Sequence, residues 1–186
     1  MYEVELKFPL ADPQPVLDRL VAWGAESGGT VEQCDVYFRH PQRDFGQTDE
    51  ALRVRSAGEF NCVTYKGPVV DSHTKTRREI EVLIADGADA ASHFSEILGL
   101  LGFQPVRSVR KKRSLWHLVW QNRQFEIAVD DVVDLGPFLE IETQSDEAGR
   151  AAASRTVLTL AAGLGLSEPE PTSYLGLLLA RDRGKV

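Results

Sequence analysis

The sequence has few cysteines and no surplus of positive charge. Its two cysteines, Cys34 and Cys62, show neither metal-ligand spacing nor the density of a disulfide framework, so we interpret them as free thiols in a reducing compartment. The formal net charge is -7, which argues against a general binder of nucleic acid polymers or anionic membranes, because such proteins need a basic surface. Any polyanionic ligand must therefore be bound by a local cluster of basic residues.

Long apolar runs and glycine-rich phosphate loops are also absent from the sequence. No stretch approaches the roughly 18 apolar residues of a membrane span, and the N-terminus has no apolar signal-peptide core, so we expect a cytoplasmic protein. No Gly-x-Gly-x-x-Gly or Walker-type loop occurs, so side chains rather than a glycine-rich backbone would bind phosphate. With 186 residues and 42% hydrophobic content, the chain suits one well-buried domain over residues 1–186.

What the sequence does contain is a charged strand close to its first residue, Glu3-Val4-Glu5-Leu6-Lys7. Its two glutamates and its lysine share one face of a strand, and apolar residues from Tyr2 to Phe8 take the other. Such alternation is common in a strand whose charged face lies in water. Carboxylates about 7 Å apart could equally hold one or two divalent cations. The rest of the chain has to distinguish these readings.

The same alternation recurs along the chain. We predict eight strands, at about 2–8, 30–39, 52–55, 62–66, 77–82, 106–120, 125–130 and 138–142. Helices are predicted directly after Asp12 and at about 88–101, 147–164 and 173–183, with loops at 40–50 and 67–76. Hairpin-length connections and irregularly placed helices exclude a doubly wound sheet, so the fold class is α+β.

The charged faces of these strands are sorted by sign. Acidic pairs stand at Glu3/Glu5, Glu79/Glu81 and Glu140/Glu142, and basic pairs at Arg53/Arg55 and Lys111/Arg113. An open sheet would leave these charges in water, whereas a closed barrel would turn them towards one another. Basic residues alone would bind a polyphosphate, and carboxylates alone would bind Mg²⁺ or Mn²⁺. Both together would hold a metal-triphosphate complex, as phosphoryl or nucleotidyl transfer requires.

With these motifs the chain resembles the CYTH superfamily, also called triphosphate tunnel metalloenzymes. This superfamily includes the class IV adenylyl cyclases and thiamine triphosphatases. The resemblance starts at the Glu-x-Glu-x-Lys motif of Glu3 to Lys7 and is strongest to the cyclase-like branch. It continues in order through 33–38, 52–55, 64–68, 77–81, 111–113, 130 with 135–136, 138–142 and 173–174. It implies one CYTH-type domain, a closed eight-stranded antiparallel β-barrel with helices packed outside.

The resemblance also implies roles for individual residues. The expected phosphate-binding residues are Lys7, Arg53, Arg55, Lys66, Arg77, Lys111 and Arg113, of which Lys7, Lys111 and Arg113 are expected to be catalytic. The expected ligands of Mg²⁺ or Mn²⁺ are Glu3, Glu5, Asp130, Glu140 and Glu142. Supporting roles fall to Glu79 and Glu81, as partners that orient the arginines or that share in binding a second metal. Tyr37 and Tyr174 are expected either to touch substrate or to pack. Arg110 and Lys112 lie on the opposite face and are expected to be solvated.

Two reactions fit this set of residues. An adenylyl cyclase would convert ATP to cyclic AMP and pyrophosphate, and the match to the cyclase-like branch favours it. A triphosphatase would hydrolyse thiamine triphosphate, inorganic tripolyphosphate or a nucleoside triphosphate with the same residues. A non-catalytic polyphosphate-binding module is the third reading, but anion binding alone has no need for so many carboxylates. We expect no nucleic acid polymer or membrane as partner, and the resemblance makes a homodimer plausible.

Overall fold

The computed structural model describes residues 1–71 and 74–184. Its strands are β1 (Tyr2–Pro9), β2 (Glu26–Arg39), β3 (Ala51–Ala57), β4 (Phe60–Asp71), β5 (Thr76–Ile84), β6 (Gln104–Trp120), β7 (Arg123–Val132) and β8 (Gly136–Ser145). Its helices are α1 (Gln14–Ala22), α2 (Phe45–Thr48), α3 (Ala88–Leu100), α4 (Arg150–Gly163) and α5 (Tyr174–Asp182). Within the described residues, none of these helices combines the length and the apolar character needed to cross a membrane.

The strands close into an antiparallel barrel with the order β1-β5-β4-β3-β2-β6-β7-β8. Closure depends on β1, which pairs with β8 from Tyr2↔Ser145 to Pro9↔Phe138 and with β5 at Tyr2 and Glu3. The predicted eight-stranded antiparallel barrel with helices outside is therefore confirmed. A closed barrel leaves no unpaired sheet edge and separates each strand into an inner and an outer face.

The main apolar core lies outside the barrel, between its wall and two helices. Val4 and Leu6 of β1 pack there with Leu20 of α1 and with Val157 and Leu160 of α4. Each of these side chains is at most 4% exposed, and burying one of them is worth about 1.5–3 kcal/mol. Because this burial stabilises the wall from outside, the barrel interior can be given over to charged residues.

Two smaller apolar clusters attach the remaining long helices. Leu98 of α3 packs on Phe38 and Val54, and Leu178 of α5 packs with Val109. The start of α5 is defined by Ser173, whose hydroxyl oxygen accepts a hydrogen bond from Gly176 N at 3.1 Å. This cap sets the position of Tyr174, the first residue of α5.

All eight strands are longer than predicted, and the largest extensions at a single end are those of β4 and β2. The loop predicted for 67–76 is wrong at its start, because β4 continues to Asp71. Gly67 and Pro68 suggested a break, but register shifts between Lys66 and Asp71 accommodate them within the ladder. In the same way β2 begins at Glu26 rather than Thr30, with an irregular register that absorbs its glycines.

Helix bounds differ less from those predicted. The loop predicted for 40–50 contains the short helix α2, which Asp44 caps by accepting a hydrogen bond from Gly46 N at 2.9 Å. The helix predicted from 147 begins at Arg150. The helix α2 was not predicted because a single turn contains too few residues to show a helical pattern in the sequence.

Candidate active site

The barrel encloses a cavity of about 1140 Å³. The inward faces of the strands line it, together with the segment 37–46 and residues 171–176 at the start of α5. All but one of the predicted site residues line this cavity, and the exception is Asp130. Asp130 lies fully buried within contact of two lining residues, Lys111 and Arg113. The structure therefore brings the whole predicted set into one place.

An acidic strip runs along the seam between β1 and β8. Glu5 lies opposite Glu142 in the ladder, and Lys7 lies opposite Glu140, so these side chains are neighbours about 5 Å apart at Cβ. Burial, reinforced by the charges of Glu140 and Glu3, raises the pKa of Glu5 to about 7. Burial also raises the pKa of Glu142. Burial would raise the pKa of Glu140 too, but Lys111 and Arg113 hold it below its usual range. The carboxylates of the strip therefore differ in how well nearby cations compensate their burial.

Lys66 is the cation that β4 contributes to this strip. Its Nζ donates to both carboxylate oxygens of Glu3, at 2.8 and 2.7 Å. The same atom lies 3.0 Å from Glu79 Oε2 and 3.9 Å from Glu5 Oε2. One ammonium group is thus shared among three carboxylates.

Arg53 and Arg55 of β3 are held by Asp35 of β2. Arg55 donates from Nε and Nη2 to the two oxygens of Asp35, at 2.7 and 2.8 Å, and Arg53 Nη1 lies 3.4 Å from Asp35 Oδ2. Burial alone would raise the pKa of Asp35, but the two arginines hold it well below its usual range. Arg53 Nε also donates to Thr64 Oγ1 at 3.3 Å. The two guanidinium groups are therefore fixed before any ligand binds.

Sequence reasoning missed Asp35 and gave its role to other residues. Glu79 and Glu81 were expected to orient the arginines, but Glu79 contacts Lys66 and Glu81 accepts a hydrogen bond from Thr64 at 3.0 Å. The sequence did place Asp35 on the same face of β2 as Tyr37, and that face points into the barrel, so Asp35 could have been included among the site residues. A single aspartate between uncharged residues does not form one of the sorted pairs on which the prediction rested.

Asp130 of β7 holds the second basic pair. Its Oδ2 accepts from Lys111 Nζ at 2.9 Å, and Arg113 donates to both of its oxygens at 2.7 and 2.6 Å. The hydroxyl of Tyr174 donates to Asp130 Oδ2 at 3.0 Å. Arg113 also forms an ion pair with Glu140. The metal-ligand role of Asp130 stays a prediction, and in this structure its carboxylate accepts hydrogen bonds from Lys111 and Arg113.

Tyr174 brings α5 into the cavity wall. Lys7 Nζ lies 4.5 Å from the centroid of its ring, and Lys111 Nζ lies 5.1 Å from it. Both distances are in the range of cation–π attraction. Lys7 Nζ also donates to the carbonyl oxygen of Thr172, and burial lowers the pKa of Lys7 to about 8. On the opposite wall, Tyr37 pairs with Arg53 in the β2–β3 ladder.

Lys75 is a cavity residue that sequence reasoning did not identify. It lines the cavity just before β5, and its backbone N donates to Glu5 O at 3.0 Å. Burial lowers the pKa of Lys75 as well. It lay in a predicted loop, where no face could be assigned. Its spacing from Arg77 and Glu79 was nevertheless that of one strand face.

The interior charges nearly balance without a ligand. Among the described residues, the buried or half-buried basic side chains facing the interior number eight and are Lys7, Arg53, Arg55, Lys66, Lys75, Arg77, Lys111 and Arg113. The buried or half-buried carboxylates in the same region number nine and are Glu3, Glu5, Asp35, Glu50, Glu79, Glu126, Asp130, Glu140 and Glu142. A triphosphate would add about four negative charges, so it would need cations to enter with it.

These donors fit a divalent cation bound together with a polyphosphate. In the part of the chain that the structure describes, no three His, Cys, Asp or Glu side chains form a ready-made cation cage. Carboxylates of the acidic strip instead face the cavity from two strands. Mg²⁺ keeps several waters and is usually bound through one or two carboxylates plus substrate phosphates, so it needs no such cage.

A family model described as the CYTH domain matches residues 1–174. A protein of Methanocaldococcus jannaschii, provisionally named an adenylate cyclase, is 40% identical over 142 residues, which cover 76% of this chain and 77% of that protein. The human thiamine-triphosphatase is 33% identical over 156 residues, which cover 73% of this chain and 64% of the human protein. A solved structure from Pyrococcus horikoshii OT3 is 35% identical with a TM-score of 0.83, covering 96% of this chain and 99% of that one.

Proposed function

The chain belongs to the CYTH domain family, and we propose that it is a metal-dependent enzyme acting on a triphosphate held inside the barrel. One observation carries this proposal. A single cavity holds fixed cations such as Arg55 and Arg113 beside an acidic strip whose member Glu5 has its pKa raised to about 7. A site for a bare anion would not place carboxylates there, and a site for a bare cation would not need the arginines.

Adenylyl cyclase is the activity we propose first. The 40% identical Methanocaldococcus jannaschii protein carries that provisional name. In this reaction the 3′-hydroxyl oxygen of ATP attacks the α-phosphorus and loses its proton. The bond from the α-phosphorus to the bridging oxygen breaks, and pyrophosphate leaves with the electron pair. Negative charge therefore develops on the leaving group, where fixed donors are most effective.

The basic residues divide into two preset groups in this account. Arg53 and Arg55, held by Asp35, and Lys111 and Arg113, held by Asp130, need little reorganisation when a polyphosphate binds. We propose that Lys111 and Arg113, with Lys7 across the Tyr174 ring, stabilise the charge that develops at the reacting phosphorus. Lys66 and Arg77 then contact the remaining phosphoryl oxygens.

Glu3, Glu5, Glu140 and Glu142 are the residues we propose to hold Mg²⁺ or Mn²⁺. A bound cation would neutralise phosphate charge and lower the pKa of the attacking hydroxyl group. Lys66 now occupies both oxygens of Glu3, whereas Glu5 and Glu142 have raised pKa values. We therefore propose Glu5 and Glu142 as the principal ligands. For Asp130 we propose an indirect role, through Lys111 and Arg113.

Triphosphate hydrolysis is the second candidate activity. It is favoured by the 33% identity to human thiamine-triphosphatase. A water molecule would attack the terminal phosphorus, and the same basic residues would stabilise the departing diphosphate. The two reactions differ in which phosphorus faces the nucleophile, and all the residues named above serve both.

The products of turnover distinguish these activities. The protein is incubated with ATP, tripolyphosphate or thiamine triphosphate, each with Mg²⁺ or Mn²⁺, and the products are separated. Cyclic AMP with pyrophosphate supports the cyclase, whereas ADP, thiamine diphosphate or free phosphate supports the hydrolase. Binding of these compounds without any turnover would contradict both and leave a polyphosphate-binding module.

A further inference from the structure

We infer that Lys7, Lys75 and Arg77, which among the described residues have no carboxylate oxygen within 4.0 Å, form an anion pocket, and that Lys75 binds a phosphoryl group of the substrate there. This inference rests on the proposed function, because it concerns the same cavity and the same triphosphate. It adds a binding residue, Lys75, which lies outside the charged strand motifs. It also identifies the part of the cavity wall that is ready to receive negative charge.

The ion pairs divide the eight interior cations into two classes. Five are already neutralised: Arg53 and Arg55 by Asp35, Lys66 by Glu3, and Lys111 and Arg113 by Asp130. Among the described residues, the other three have no carboxylate oxygen within 4.0 Å. In the described part of the chain, the ammonium group of Lys7 contacts the carbonyl of Thr172 and the rings of Tyr174 and Phe138.

Arg77 has unused hydrogen-bonding capacity inside the cavity. The residue is 5% exposed, and its Nη1 donates to the carbonyl oxygen of Asp49 at 3.3 Å. Its Nε is buried and has no hydrogen-bond acceptor among the described residues. A buried N–H group of a charged side chain without an acceptor is destabilising. An oxyanion in the cavity would remove that destabilisation.

The three cations lie on one part of the cavity wall. Arg77 is paired with Glu3 in the β1–β5 ladder, and the N–H of Lys75 is bonded to the carbonyl oxygen of Glu5. Lys7 is two residues further along β1 and shares the inward face with both glutamates. Like charges in a partly desolvated site repel one another. One phosphoryl group among the three would turn this repulsion into attraction, whereas the neutralised cations would gain less.

Lys75 is held in place although it precedes β5. Its N–H is bonded to Glu5 O, and the residues on either side, Thr74 and Thr76, are each 1% exposed. Their hydroxyl oxygens lie 2.8 Å apart, and that of Thr74 lies 2.9 Å from Ser154 Oγ on α4. The backbone at Lys75 is thus fixed from both sides, and its side chain enters the cavity from a preset origin.

The test is calorimetric titration of inorganic tripolyphosphate, with and without Mg²⁺, into wild type and three variants. Lys75→Ala is expected to weaken binding about tenfold or more, since a charge-assisted hydrogen bond is lost. Lys75→Arg should bind within about threefold of wild type because it retains the charge. The matched control is Lys112→Ala, which removes an exposed lysine from the outer face of β6 and should leave the Kd unchanged.

A salt series separates a phosphate contact from a structural effect. Removing one phosphate-binding lysine should lower the slope of log Kd against log salt concentration by about one, which loss of packing would not do. Thermal unfolding without ligand checks that each variant folds, and Lys75→Gln replaces Lys75→Ala if it does not. Wild-type affinity and slope in both neutral variants would overturn the inference.

The inference and the proposed function can fail separately. If wild type binds tripolyphosphate through Lys75 but turns over no triphosphate, the anion pocket stands and the enzymatic proposal fails. If wild type turns over triphosphates and Lys75→Ala matches it in KM and Kd, the proposed function stands and the pocket fails. Absence of tripolyphosphate binding by wild type, with and without Mg²⁺, would overturn the pocket, and the additional absence of turnover of every triphosphate would overturn both.

Discussion

The hydroxyl of Tyr174 donates to Asp130 Oδ2 at 3.0 Å while the ring of the same residue lies 4.5 Å from Lys7 Nζ. One side chain from α5 therefore links β1, which carries Lys7, to β7, which carries Asp130. Because Asp130 also binds Lys111, the positions of two proposed catalytic lysines depend on Tyr174. The hydroxyl group of Tyr174 contacts Asp130, and its aromatic ring contacts Lys7.

Substitutions at Tyr174 should separate its ring from its hydroxyl. Tyr174→Phe keeps the cation–π contacts, and Asp130 keeps its bonds to Lys111 and Arg113, so we expect kcat to fall less than about threefold. Tyr174→Leu removes the ring beside both lysines and should lower kcat about tenfold or more. Steady-state kinetics on the triphosphate that is turned over provide the measurement. Equal kcat values for Tyr174→Leu and wild type would contradict this role.

Replacing Glu5 should make the protein more stable and abolish its metal-dependent activity. Glu5→Gln keeps the shape of the side chain and removes one charge from a strip in which Glu140 and Glu3 repel it. We expect a melting temperature in EDTA a few degrees above that of wild type, together with loss of metal-dependent turnover. Glu142→Ala should also abolish metal-dependent turnover while the barrel still folds. Near-full activity in either variant would contradict the proposed metal ligands.

Asp35 should contribute more to stability than an ion pair on the surface. Asp35→Asn leaves Arg53 and Arg55 without a counter-charge in a largely buried site, so we expect a loss of about 3 kcal/mol in the free energy of unfolding. The matched control is Asp134→Asn, whose ion pair with Arg107 involves a side chain that is 50% exposed. That change should cost less than about 1 kcal/mol. Urea unfolding at neutral pH measures both.

The pH dependence provides an internal check on Asp35. Its pKa in the folded protein lies below the ordinary value of about 3.9, so its contribution is fully present above that value and is lost as the pH falls. The difference in unfolding free energy between wild type and Asp35→Asn should therefore narrow between about pH 5 and pH 2. A constant difference over this range would mean that packing, rather than the ion pairs, stabilises this region.

Most of the strands could be predicted because charged and apolar residues alternate along them. In β1, the apolar residues meet α1 and α4 while Glu3, Glu5 and Lys7 face inward, as the period of two requires. Strand ends were less predictable. Gly67 and Pro68 are residues typical of a loop, yet a bulged register keeps them in β4. Closure of the barrel depends on pairing between β1 and β8, and no local pattern encodes contacts between such distant segments.

The charged residues of the site were predictable as a set, but their pairings were not. Sorted pairs such as Arg53/Arg55 identify inward faces, and every such pair lines the cavity. Which carboxylate meets which cation depends on the order of strands around the barrel. Asp35 therefore could not be assigned to the arginines before β2 was known to pair with β3. Lys75 was missed because it belongs to no strand.

We propose above all that the barrel converts a triphosphate with the help of a divalent cation. This conversion is tested most directly by following ATP and Mg²⁺ with the purified protein by ³¹P NMR, beside Glu142→Ala as the inactive control. We predict that wild type produces the resonances of cyclic AMP and pyrophosphate and that the variant does not. Formation of ADP and inorganic phosphate would indicate that the protein hydrolyses ATP and is not a cyclase. An ATP spectrum that stays unchanged with wild type, together with unchanged tripolyphosphate and thiamine triphosphate, would contradict the proposal.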